Sequence, residues 1–198
     1  MNEAEIHSDQ GSLDVAEGLL EKSVRFLRAS GDSYMIAGSL QYLGRVLARL
    51  GRTDEALASF EESERCFADI GAIPDATEVQ VLRAECFVLR ADPRAAIDQL
   101  SRLRDQKGLG EQFRSIVLRT TGYAHSQLGE RASAREAFLM ALADARKRGA
   151  GFDVLEASVA LTRLDLLEEG GPAAVDPEME SLVEQLGIVA VTSVPLST

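Results

Sequence analysis

Apolar side chains recur along this chain at helical intervals, with glycines between the runs. Over residues 34–50, Leu40, Leu43, Leu47 and Leu50 step by three and four positions. Over residues 53–69, Ala56, Phe60, Ser63 and Phe67 do the same. Recurrence at i, i+3, i+4 and i+7 makes one buried stripe per helix. The stretch therefore predicts two amphipathic helices joined by the turn Gly51-Arg52-Thr53. The same spacing predicts helices over 13–29, 74–90, 93–106, 111–128, 131–148 and 152–168, and a short one from 177 to about 186. Punctuation agrees. Asp32-Ser33 and Asp92-Pro93 are helix-start signals. Gly31, Gly71, Lys107-Gly108, Gly129 and Gly170-Gly171-Pro172 are stops, and Arg146-Lys147-Arg148-Gly149 adds cations at the negative end of a helix dipole. Residues 1–12 are polar and read as a flexible start; residues 187–198 are β-branched with a proline and read as an extended tail.

The pattern repeats. Seventy-eight residues along, Leu118, Gly122, Leu128, Gly129, Ala134 and Phe138 fall on Leu40, Gly44, Leu50, Gly51, Ala56 and Phe60. A weaker copy lies at half that distance, 39 residues, where Val79, Leu82, Cys86 and Leu89 match the four leucines. After a one-residue slip, Ala96 and Leu100 match Ala56 and Phe60. Ala16 and Leu20 match them 40 residues upstream, so 13–29 reads as a second helix lacking its first. That end would expose an apolar stripe, to be covered by an upstream repeat, by residues 1–12 folding back, or by a second copy of the chain. Small residues let helices approach, and the bulky residue one turn later fills the gap between repeats, each burial contributing roughly 1.5–3 kcal/mol.

A leucine-glycine pair, a glycine turn, then alanine and phenylalanine four apart resemble a tetratricopeptide repeat. The resemblance implies an all-α, right-handed α-solenoid of antiparallel helix pairs, about four repeats over 13–186, with pairs near 34–70, 74–106, 111–148 and 152–186. A period near 39, against about 34 in the standard repeat, is similar to the long repeats of MalT-like regulators. The succession LGRVLARLGRTDEALASFEESERCFADIGA, ARKRGAGFDVLEASVALTRLDLLEEGG and VEQLGIVAVTSVPLST resembles the C-terminal tetratricopeptide region of bacterial class III cyclase–ATPase and LuxR-type regulators. It implies a regulatory region of a larger signalling protein, with any cyclase chemistry outside this chain.

Composition narrows the class. With 198 residues, the chain is long enough to bury roughly 70% of its unfolded surface. Five prolines and no tryptophan give no support to an all-β fold. No run of about 18 apolar residues is present to cross a bilayer, and the start has no secretory pattern; the reading is cytoplasmic. Cys66 and Cys86, on apolar faces of successive helices, read as buried thiols rather than a disulfide. Net charge is −11, which disfavours nucleic acid. It is uneven: 13 acids against 7 bases in 1–70, 10 against 13 in 71–150, and 9 against 1 in 151–198.

First helices line the groove of a tetratricopeptide array, so their residues off the leucine stripe are the candidate contacts. Gln41, Arg45 and Arg49 come from 34–50, Gln80 from 74–90, and Arg119, Tyr123 and Gln127 from 111–128. Arginines fork onto carboxylates and amides bond a peptide backbone, so the expected partner is a protein or peptide, acidic or extended. The lysines and asparagines of carboxylate-clamp repeats are missing from these sites. No catalytic, metal or cofactor constellation emerges: HExxH, CxxC and GxxxxGK[ST] do not occur. His125 falls on the Leu47 position and reads as a core or boundary residue rather than a base.

Overall fold

Turns set the spacing of this molecule. In the computed structural model of the chain, left-handed backbone recurs at Gly11, Gly31, Gly51, Gly71 and Ala91, and again at Gly129 and Gly149. The structure describes residues 3–9, 11–105, 109–169, 177–186 and 194–196. The helices between the turns are α1 (Glu3–Asp9), α2 (Leu13–Ser30), α3 (Ser33–Arg49), α4 (Thr53–Asp69), α5 (Ile73–Leu89) and α6 (Pro93–Asp105). A 3-10 turn (Glu111–Phe113) then leads into α7 (Arg114–Gln127), α8 (Arg131–Arg148), α9 (Gly151–Glu169) and α10 (Pro177–Leu186). The expected stops at Lys107-Gly108 and Gly170-Gly171-Pro172, and residues 187–193 of the tail, lie outside the described residues. Asp32 caps α3 by accepting the Met35 amide at 3.0 Å, and Asp92 accepts the Ala95 amide at 3.2 Å. Consecutive helices pack on one another as an α-solenoid, while α3, α5, α7 and α9 also lie side by side.

Glycine has a steric job at two places. A Cβ on Gly44 would lie 2.6 Å from the Phe60 ring, and one on Gly122 would lie 2.5 Å from the Phe138 ring. Each bulky residue of a second helix therefore presses on bare backbone of its first helix. In the middle pair Leu100 shares a buried cluster with Ala84, so Ala84 holds the place of Gly44. That places the first helix of this pair 40 residues after α3, and not 39; α7 then follows by 38. The mean of the two is the expected period. Turn positions 51, 91 and 129 carry the same steps.

Ala91 occupies a site where the other turns use glycine, at φ 59°. Left-handed backbone costs an L-residue roughly 1–2 kcal/mol, against the smaller entropy cost of glycine in the unfolded chain. Ala91→Gly is expected to stabilise the fold by about 0.5–1 kcal/mol, read as a higher urea midpoint with an unchanged slope.

Within the segment expected to be flexible, residues 3–9 form a helix. Ala4 is buried with Ala16, Leu20 and Val46, and Arg49 donates to the Ser8 hydroxyl at 2.7 Å. This segment folds back so that Ala4 covers part of the apolar stripe of α2, beside Ala16 and Leu20. A small apolar residue at position 4 is what lets α1 settle onto α2. Cys66 and Cys86 are free thiols, and burial pushes Cys86 up to about 12.

Candidate peptide-binding wall

Three faces of α5 explain how the wall arises. Val79, Leu82 and Cys86 join the core built with α4, whereas Val81 and Ala84 join Leu100 and Leu103 of α6. Between them runs the strip Glu78, Val81, Glu85 and Leu89, which opens on a pocket of about 450 Å³. Arg45 and Arg49 of α3, Ile116 and Arg119 of α7, and Phe152 and Glu156 of α9 continue its lining, with Leu186 of α10 at the edge.

Polar links run across this wall from helix to helix. Gln41 donates to Glu78 at 2.7 Å, joining α3 to α5. Arg119 donates to Glu85 at 2.7 Å and pairs with Glu156, joining α5, α7 and α9. At the N-terminal turns, Tyr34 donates to Asp75 at 2.9 Å and Ser115 to Asp153 at 2.5 Å. Arg119 is only 4% exposed, so two carboxylates neutralise a cation that water does not reach. Burial, opposed by Arg119 and reinforced by Glu85, pushes the Glu156 carboxyl up to about 7. Arg45 is exposed, its guanidinium 5.9 Å from the Tyr42 ring centre.

The seven residues expected on the wall do not share one outcome. Gln41, Arg45 and Arg49 stand on it, and so does Arg119, but Arg119 is consumed by the two glutamates. Gln80 does not stand there. It donates to Glu64 of α4 at 2.7 Å, because the 40-residue register puts it at the place of Leu40. The residues missed were Glu78, Glu85 and Glu156, which balance the three arginines and remove the basic character expected of the groove. The 20-residue spacing of Gly31, Gly51 and Gly71 was the signal for the correct register. His125 is a boundary residue, its ring Nδ1 2.6 Å from Glu130.

Tyr123 and Gln127 take the α7 places that Arg45 and Arg49 take in α3, yet both are buried. What covers them is the chain itself. Val194 and Leu196 are buried in one cluster with Val88, Tyr123 and Leu164. Ser126 donates to the Leu196 carbonyl at 2.8 Å, and Gln127 donates to the carbonyls of Pro195 (2.8 Å) and Val88 (2.7 Å). Tyr123 also meets the Phe138 ring edge-on at 5.0 Å between centres.

Residues 1–69 match the family model described as tetratricopeptide repeat. The fold is tetratricopeptide-like. Two solved structures share it, both of the Podosopora anserina putative kinesin light chain with nearly identical TPR-like repeats. One, a point variant, has a TM-score of 0.60 at 19% identity, over 93% of this chain and 89% of that one. The other has a TM-score of 0.59 at 19% identity, over 93% of this chain and 90% of that one. No curated protein matches. The family match covers the first 69 residues, and the two structures extend the likeness in fold over most of the chain. Among the described residues, no helix is long and apolar enough to cross a membrane, and no group of three or more His, Cys, Asp or Glu is placed to hold a metal.

Proposed function

We propose that the array is a non-catalytic interaction scaffold that receives an extended segment of a protein partner along the wall of α3, α5, α7 and α9. The observation that carries this reading is the pocket of about 450 Å³, apolar at Val81, Leu89, Ile116 and Phe152, with exposed Arg45 on its lining. Three arginines face three glutamates there, so the fitting segment is apolar with one carboxylate for Arg45, and not a strongly acidic stretch. Arg45→Glu is expected to weaken a partner recovered from the native host at least about tenfold, near 1.4 kcal/mol. Unchanged affinity in a calorimetric titration overturns this placement.

A second reading treats the array as the ligand-sensing module of a larger signalling protein, a cyclase or a transcription regulator. It is favoured by the pocket volume, which falls in the range of roughly 300–1,000 Å³ typical of small-molecule sites. A small ligand that raises the melting temperature of the purified chain, with no protein partner present, selects it.

A further inference from the structure

The wall is already occupied at one end. Tyr123, Ser126 and Gln127 continue in α7 the row that Arg45, Ala48 and Arg49 form in α3. Val194, Pro195 and Leu196 lie on that continuation, their two apolar side chains buried and two successive carbonyls received by Ser126 and Gln127. Side chains that bond a backbone, with apolar seats between them, are how a groove holds an extended peptide irrespective of its helical propensity. The fit has a gap. Gln127 Oε1 is buried without a hydrogen-bond partner among the described residues, and Pro195 carries no N–H to offer it. A buried acceptor left unfilled weakens its occupant.

We propose that residues 194–196 are a displaceable self-ligand: they hold shut a docking seat on α7 and α9 for a partner protein's extended apolar–proline–apolar segment. The proposal rests on the reading of the array as a partner-binding wall, but it uses a different part of that wall from Arg45 and the pocket. Competition between the tail and such a segment for one seat makes partner affinity depend on how often the tail leaves. The apparent affinity is the intrinsic affinity multiplied by the fraction of open seats.

The test uses the 198-residue chain, a version ending at Ser193, and a fluorescent peptide with the sequence GIVAVTSVPLST. Fluorescence anisotropy is expected to show saturable binding to the shortened chain, at least tenfold weaker binding to the 198-residue chain, and none of a scrambled peptide. Gln127→Leu in the shortened chain is expected to weaken binding at least tenfold with the helical circular dichroism unchanged. Equal binding to both lengths shows that the tail does not compete, and overturns the proposal. So does absent binding to a shortened chain that keeps its melting temperature. Loss of the helical signal on shortening also overturns it, because the tail is then part of the core and cannot leave. Failure here with Arg45→Glu still weakening the partner sinks the seat alone; the reverse outcome sinks the pocket placement alone.

Discussion

Arg119→Met is expected to destabilise the array by about 3–5 kcal/mol, measured by urea unfolding at pH 8. The methionine fills a similar volume, so the loss is electrostatic. Glu156 and Glu85 are left facing one another without the cation that reaches both, and an unpaired buried carboxylate has neither water nor a counter-charge. The effect has a sign in pH. Burial raises Glu156 from its ordinary value near 4.5 to about 7, so the folded state binds its proton more tightly than the unfolded state does. Stability from this group is complete below pH 4.5 and is lost as pH rises through 7. Removing Arg119 drives the carboxyl further up. The variant should therefore lose more at pH 8, where Glu156 of the parent is ionised and paired, than at pH 5, where it is protonated. Arg119→Met combined with Glu156→Met should recover much of the loss, since a buried ion pair replaced by apolar groups is often neutral. Equal destabilisation at both pH values, with no recovery in the double variant, would assign Arg119 a packing role only.

Phe138→Ala is expected to cost a similar amount, about 3–5 kcal/mol. The ring is completely buried, lies against the backbone at Gly122 and meets Tyr123 edge-on. Deleting it leaves a void between α7 and α8 that two rigid helices cannot close. The reciprocal change, Gly122→Ala, places a methyl group 2.5 Å from the same ring and is expected to cost about 1–3 kcal/mol through overpacking. The two changes share one space. Combined, they should cost less than their sum, because the new methyl enters the void left by the ring. Additive losses in thermal unfolding would show that the glycine and the ring do not compete for that space.

The sequence by itself determined the helices from α2 onward, nearly all their ends, and the all-α repeat; α1 (Glu3–Asp9) was not among them. Those features follow from local rules: a 3.6-residue period, glycine where the backbone turns left-handed, and aspartate where a first-turn amide needs an acceptor. Ala56 and Ala134, expected against a neighbouring helix, are completely buried; that Phe60 and Phe138 press on Gly44 and Gly122 emerged only from the structure.

Register and occupancy were decided by the tertiary structure. One residue separates a 39-residue from a 40-residue offset, and on a helix it turns a side chain by about 100°. That turn carried Gln80 off the wall and brought Glu85 onto it. Leu82 and Cys86 are buried and apolar in either register, so hydrophobic matching had no means of choosing; the cluster that Leu100 shares with Ala84, and the turn at Ala91, did. Charge on the wall was likewise invisible in any single helix. Arg119 looks like a free cation until α5 and α9 each supply a carboxylate from 34 and 37 residues away. Tyr123 and Gln127 read as open groove until Val194 and Leu196, some seventy positions on, close over them. Periodicity reports which face of a helix is buried; which segment buries it depends on how the chain returns through space.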